Sequence, residues 1–451
     1  MRKVLKIALV GFLFITLFGC NNVVQEETKE DKKAENSNNE YDDYVKVTRF
    51  CDKVFETGVY KELDFDSIIA NINNQYDQYV TGGGCTAVGK KNTEDGLIIG
   101  RNMDLFITDK PSYIVKTNVE GLKRTFGLMY SNNRGDDYEF VKENGVEPSF
   151  YNTIPFFQTD VLNEDGFYIE INMRYADYDE EGNSVFSCSG TLPNQGKTRI
   201  DAFLLPTYLG TRCSTVDETV KMATEELDIF TPTPGSSMDW NFCFMLADAT
   251  GKYGVLEIAQ NKVIFNEAIE TSDTEMPLGA CQANYYITPE FYALQKMKSG
   301  VGRVEYLKEA WPSITNEESM FVAMLGVSYF QSYFSYCQFN NLYEFTGTYE
   351  EDGKIFIGEK TPDVVDGETV TWDYDYISNP ENQKYVKEYI KWLETRIGTR
   401  RAEDSLEDIG QFWESTFTVV VNPEKKTMFV RFNENNKNLK YYQFDNDLNW
   451  D

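Results

Sequence analysis

Gly82-Gly83-Gly84-Cys85-Thr86-Ala87-Val88, followed by Gly100-Arg101-Asn102-Met103-Asp104, is the stretch on which the reading of this chain turns. A cysteine behind three glycines has a preceding peptide bond open to attack, because glycine tolerates strained and positive-φ backbone. Breaking Gly84–Cys85 would leave Cys85 as an N-terminal residue with both a thiol and a free amine. A thiol titrates near ~8.5 and an α-amine near ~7.7–8.0, so the pair supplies a nucleophile and its base. Taken alone, a cysteine in a strand is a small hydrophobe. What moves the balance is that the 451-residue chain has no histidine. That removes Ser-His-Asp and Cys-His catalysis and every histidine-ligated metal site. Self-activation by an N-terminal amine survives this absence.

Charge and cysteine usage exclude further classes. Lys plus Arg number 43 against 73 Asp plus Glu, a formal charge of −30. Such acidity disfavours nucleic acid as a partner and binding through a basic membrane-surface patch. The eight cysteines (Cys20, Cys51, Cys85, Cys188, Cys213, Cys243, Cys281, Cys337) contain no C-x-x-C, so neither a zinc ribbon nor a thioredoxin-like motif is supported. Beyond Cys20 and Cys85, most read as buried thiols. Asp177-x-Asp179-x-Glu181-Gly182 begins like a calcium loop, but Cys188 stands where the bidentate Glu belongs. It reads as a solvated acidic turn, and no metal or cofactor is expected.

Residues 1–20 read as an export signal: Arg2 and Lys3, an apolar run from Ile7 to Phe18, then Gly19-Cys20. The run is shorter than the ~20 residues a membrane span needs. Residues 21–40 are polar and charged and read as a disordered tether. Tyr44, Val47, Phe50, Cys51, Val54 and Phe55 recur at helical spacing, and Ile68, Ile69 and Ile72 continue it. We therefore expect 41–84 to be a helical pro-segment. From Cys85 onward strands dominate, with helices over 200–226 (Ser214 as N-cap), 303–311 and 316–330 and a closing hairpin of 417–421 with 427–432. Residues 345–380 are acidic and turn-rich, an expected insertion within an 85–451 domain. Antiparallel meanders with helices grouped between them predict a layered α+β fold.

Cys-Thr-Ala followed by Gly-Arg-Asn-Met-Asp resembles the choloylglycine hydrolase family of N-terminal-nucleophile amidases, and the resemblance extends thinly over 85–451. It implies a four-layer αββα sandwich and autoproteolytic release of Cys85. It also places Arg101 and Asp104 beside the nucleophile, the guanidinium favouring thiolate and the carboxylate holding the ammonium. Asn163-Glu164-Asp165-Gly166 and the strand after it look like the family's Asn-Glu-x-Gly turn and following strand, whose functional asparagine carries over to Asn172. Asn284 matches a second asparagine, although Ala283 stands where the family usually has Thr; Arg303 falls where it has a late arginine. Asn172 and Asn284 would line an oxyanion hole. Gly19-Cys20 resembles a bacterial lipobox, a resemblance that implies Cys20 as the lipidated residue of an exported, membrane-anchored lipoprotein. The expected partner is a small N-acyl amide substrate: a conjugated bile salt, penicillin V, or an N-acyl amino acid or lactone. An acyltransferase with the same site, and a catalytically silent ligand-binding lipoprotein, stay open as alternatives, as does the oligomeric state.

Overall fold

The computed structural model describes residues 54–71, 83–106, 112–130, 151–174, 177–179, 181, 184–188, 196–231, 241–296, 298, 300–327, 413–432 and 439–450, with four short strands inside 347–370. The export signal, Cys20, the tether, Tyr44, Val47, Phe50, Cys51 and Ile72 lie outside the described residues. Residues 43–451 form one compact unit.

The strand with the plainest pattern is β7, Tyr168–Arg174, with every residue buried. Its side chains alternate between the faces of the sheet, as a pleated strand requires. Ile169, Ile171 and Met173 enter one apolar core with Leu205, Leu209, Phe242 and Phe244. Tyr168 faces the other way, toward a second core with Cys85, Met103, Met245 and Phe417. The polar residues Glu170, Asn172 and Arg174 share that second face by the same alternation. A one-residue slip would exchange the two sets, so the register is strongly specified. Gly166, at φ +83, makes the turn from β6 (Asp160–Asn163) into β7.

Eight strands form the sheet that contains β7. In spatial order they are β1 (Val54–Tyr60), β4 (Ser112–Thr117), β5 (Thr125–Tyr130), β6, β7, β10 (Asn241–Ala247), β11 (Tyr253–Ala259) and β12 (Lys262–Glu267). The second sheet has six: β13 (Cys281–Gln282), β2 (Gly83–Lys90), β3 (Ile98–Phe106), β18 (Trp413–Asn422), β19 (Thr427–Phe432) and β20 (Leu439–Gln443). The short strands β8 (Thr198–Asp201) and β9 (Leu227–Phe230) pair in parallel. Two small hairpins, β14 (Gly347–Glu351) with β15 (Lys354–Gly358) and β16 (Asp363–Val365) with β17 (Glu368–Val370), fall in the acidic 345–380 stretch, whose remainder lies outside the described residues.

Helices close the layers. Against the outer face of the eight-stranded sheet lie residues of α1 (Phe65–Asn71), α2 (Leu205–Gly210) and α3 (Val216–Lys221). A short α4 (Pro289–Leu294) follows β13 in the chain. Beyond the six-stranded sheet lie α5 (Val301–Ala310) and α6 (Glu317–Gly326). Gly100 on β3 lets α6 approach: a Cβ there would stand 2.6 Å from Met324 Cγ. The architecture is the expected α+β sandwich, helices–sheet–sheet–helices.

Three local expectations are corrected. Residues 54–60 are a strand, not the end of a helix; Gly58 costs a helix about 1 kcal/mol, and β4 offers this segment a parallel ladder from Val54↔Ser112 to Tyr60↔Thr117. Helix over 200–226 is broken into two short pieces, and α3 is capped by Thr215, whose side chain accepts from Glu218 N, while Ser214 Oγ turns to Asp165. The 417–432 hairpin forms, but β20 follows it as the edge strand.

Candidate active site

The antiparallel pairing of β2 with β3 sets Gly84 opposite Asp104, Cys85 opposite Met103 and Ala87 opposite Arg101. Pleat alternation then divides the site between the two faces of this sheet. Cys85 and Arg101 point between the sheets; Thr86 and Asp104 point toward the helical side.

On the inner face, Arg101 Nη2 lies 3.8 Å from Cys85 Sγ and donates to Ile171 O at 3.0 Å. The other guanidinium nitrogens meet two buried carboxylates: Nη1 to Asp160 Oδ2 at 3.0 Å, and Nε to Glu170 Oε2 at 3.2 Å. Burial alone would lower the Arg101 pKa, but Asp160, Cys85 and Glu170 around it hold it above its ordinary value. Asp160 is also gripped by Tyr168 Oη at 2.7 Å and Thr159 Oγ1 at 2.9 Å.

Cys85 itself is 2% exposed. Burial pushes its thiol up to about 11; Arg101 pulls it down, while Asp104 and Glu170 push it further up. The expectation that Arg101 favours thiolate holds for its sign but not for the outcome. Loss of water outweighs one guanidinium whose charge is shared with two carboxylates.

On the helical side, Arg303 of α5 gathers the remaining groups. Its Nη1 reaches Thr86 Oγ1 at 2.8 Å, Cys85 O at 3.2 Å and Asp104 Oδ2 at 3.3 Å, and its Nη2 reaches Asn284 Oδ1 at 2.6 Å. Ser415 of β18 donates to Asp104 Oδ1 at 2.5 Å. The backbone N of Cys85 donates to the same Asn284 Oδ1 at 3.1 Å, and Asn284 Nδ2 donates to Met173 O at 2.9 Å. Two donors on the oxygen and one acceptor on the nitrogen fix which way this amide faces. Asn284 therefore meets Cys85 through its oxygen.

The segment carrying Asn284 is pinned by buried acceptors. Glu257 of β11 accepts from Ile287 N at 2.6 Å and Thr288 N at 2.8 Å, and Gln295 Oε1 accepts from Tyr286 N at 2.8 Å. Asn172 differs. Both atoms of its side-chain amide are buried and have no hydrogen-bond partner among the described residues.

Cys85, Arg101, Asp104, Asn284 and Arg303 are thus brought into one connected set of contacts, with Asn172 next to Ile171, whose carbonyl Arg101 holds. Sequence reasoning missed Asp160, Glu170, Thr86 and Ser415. For Glu170 a signal existed: a carboxylate between Ile169 and Ile171 in a strand buried on both faces. Among the described residues no three Cys, Asp or Glu side chains are grouped to hold a metal ion.

Residues 85–286 match the model of the linear amide C–N hydrolases, choloylglycine hydrolase family, and the match begins at Cys85 itself. Over this stretch the chain is similar to the choloylglycine hydrolase family. Its enzymes are hydrolases of linear, non-peptide amides. The matched stretch takes in Cys85, Arg101, Asp104, Asn172 and Asn284 and stops short of Arg303. Among solved structures the chain is similar to a variant of the conjugated bile acid hydrolase from Clostridium perfringens, at 14% identity and TM-score 0.39 over 81% of this chain and 94% of that one. A second variant of that hydrolase gives 13% identity and TM-score 0.34 over 81% and 98%. Penicillin V acylase from Agrobacterium tumefaciens gives 13% identity and TM-score 0.36 over 80% and 87%. No curated protein matches the chain.

Proposed function

We propose that this family member is an exported lipoprotein in which Cys85, freed as an N-terminal residue, hydrolyses the amide of a small N-acyl compound through a thioester. The observation that carries the reading is the convergence on Cys85: its nitrogen on Asn284 Oδ1 at 3.1 Å and its sulfur 3.8 Å from Arg101 Nη2. In the intact chain that nitrogen is an amide, which is no base. Freed, it becomes an amine titrating near ~7.7–8.0, beside the thiol it must deprotonate. The sulfur then attacks the acyl carbon and its proton passes to the amine. The C–N bond breaks as that proton moves to the leaving nitrogen. Water attacks the thioester, releasing the carboxylic acid and restoring the thiol.

The oxyanion of both tetrahedral steps needs an uncharged donor already in place. Asn172 suits this role because its amide is buried and uncommitted. Asn284 fits the holding of the amine through its oxygen, with Arg303 fixing Asn284, and Asp104 supplies negative charge at the cleavage point opposite Gly84. Export and anchoring rest on Arg2-Lys3, the Ile7–Phe18 run and Gly19-Cys20. The deciding experiment is a panel of conjugated bile salts, penicillin V, N-acyl amino acids and N-acyl lactones. It is run on protein whose catalytic chain begins at Cys85, with trapping of the acyl group on the Cys85 peptide by mass spectrometry. Turnover retained in Cys85→Ala would overturn the mechanism.

A further inference from the structure

The guanidinium of Arg101 has a carboxylate or the sulfur within reach of each nitrogen. Nε donates to Glu170, Nη1 faces Asp160 as an ion pair with no hydrogen bond, and Nη2 is left to Cys85 Sγ, Ile171 O and Met103 Sδ, the last at 2.9 Å. Glu170 is held in turn, its Oε1 accepting from Met245 N at 3.1 Å and from Gln282 Nε2. Every partner of this carboxylate is a donor, so its contacts suit the ionised form.

Nothing in the cleavage of an amide by a thiol calls for a negative charge here. Glu170 pushes the Cys85 thiol up, against the chemistry, and its own burial costs free energy. One carboxylate, Asp160, would already balance Arg101. What the second adds is direction. Asp160 holds Nη1 by charge and makes no hydrogen bond to it, so the hydrogen bond from Nε to Glu170 is what turns the planar fork and keeps Nη2 on the sulfur.

We infer that Glu170 is a positioning residue, which through Arg101 Nε fixes the guanidinium nitrogen that faces Cys85. The inference rests on the reading of Cys85 as nucleophile. The titratable groups around Glu170 are Arg101 on β3, Asp160 on β6, Tyr168 on its own strand, Cys85 on β2 and Cys243 on β10. Burial pushes the Glu170 carboxyl up to about 7, with Arg101 pulling it down and Asp160 pushing it further up. Its hold on Arg101 therefore weakens on acidification through neutrality.

The test reads the sulfur directly. Alkylation of Cys85 by iodoacetamide is followed on the full chain from pH 6 upward by mass spectrometry of the Cys85 peptide, in wild type and in Glu170→Gln. Charge alone and positioning predict opposite signs. If Arg101 stays in place, removing the Glu170 charge makes the thiol more acidic and moves the profile to lower pH. If Arg101 loses its direction, the thiol loses its cation and the profile moves to higher pH. We expect the upward shift, about 1 unit or more, read as ~tenfold slower alkylation at fixed pH. A downward shift or an unchanged profile overturns the inference. A second variant, E170Q/Q282E, keeps one carboxylate and one carboxamide in the pair but takes the carboxylate off Arg101. It should fold as wild type and retain the upward shift; restoration of the wild-type profile would make the pair a packing feature and overturn the inference. The alkylation result stands or falls independently of turnover, so absence of amide hydrolysis in wild type would remove the proposed function alone.

Discussion

Replacing Asn172 with Leu separates a catalytic asparagine from a structural one. Leu keeps the branched heavy-atom skeleton and substitutes methyl groups for the oxygen and nitrogen. In the folded chain both amide atoms are buried and unpaired among the described residues. A buried polar group left unsatisfied costs about 1–3 kcal/mol, so Asn172→Leu should relieve a standing penalty. Part of the gain is offset by the slightly larger side chain, where overpacking costs about 1–3 kcal/mol. The expected net is a melting temperature unchanged or raised by about 2 °C. Activity should move the other way. Losing one oxyanion donor costs about 2.7–4 kcal/mol, or 10²–10³ in kcat, with little change in KM. Thermal melts and steady-state kinetics on the same preparation read both. A fall of several degrees with kcat intact would refute the reasoning, because that is how a hydrogen-bonded structural asparagine behaves.

Other outcomes follow from the same geometry. In the intact chain, with the Cys85 thiol pushed up to about 11, deprotonation increases as pH rises, so alkylation should climb ~tenfold per unit from pH 7 to 10. A plateau below pH 8 would contradict the buried, protonated thiol. Arg303→Met leaves the Asp104 carboxylate, 0% exposed, without its cation. Breaking such a pair costs about 3–5 kcal/mol, and the double variant with Asp104→Asn should recover part of it in denaturant unfolding; no loss in the single variant would place Arg303 outside the network. If Gly84–Cys85 is cut in the mature protein, a fragment containing residues 54–71 should co-purify with the chain beginning at Cys85 and leave it in denaturant. Finding a single uncut, active chain by mass spectrometry would dispose of both the cut and the role of the free amine.

How much of this was legible in the sequence depended on where each partner lies along the chain. Local alternation made β7 readable, and with it the face that carries Asn172. The turn signal at Asn163–Gly166 was equally local. Residues 54–60 were misread because their structure is set by β4, to which they add as an edge; apolar spacing alone does not separate a short strand from a helix. Within the site, Cys85, Arg101 and Asp104 are near in sequence and paired across one ladder, so a motif could carry them. Ser415 meets Asp104 across 311 residues, and no local pattern marks it. Asp160 and Glu170 sit in a different sheet from the arginine they hold. Their charges were visible, but the face they share with Arg101 was not.

The placement of the segment before Cys85 bears on how a cut there could be tolerated. Val54–Tyr60 pairs with β4, Thr57 Oγ1 donates to Ile114 O at 3.2 Å, and Tyr60 Oη donates to Tyr151 O at 2.8 Å. Phe65 packs edge-on against Phe156 and Tyr208, each with ring centroids 5.0 Å apart, and Ile68 joins the same core. Each such buried side chain contributes about 1.5–3 kcal/mol before ordering costs. These contacts do not run through the Gly84–Cys85 bond, so severing it leaves them in place. On the other side of that bond, the nitrogen of Cys85 already rests on Asn284 Oδ1, which Arg303 holds from behind. An amine generated there would inherit a seat built before the cut, and the chain from Cys85 onward would need no new fold to use it. Activation by such a cut would then amount to converting one amide nitrogen into a base while the sulfur, the guanidinium and the asparagines stay where folding put them.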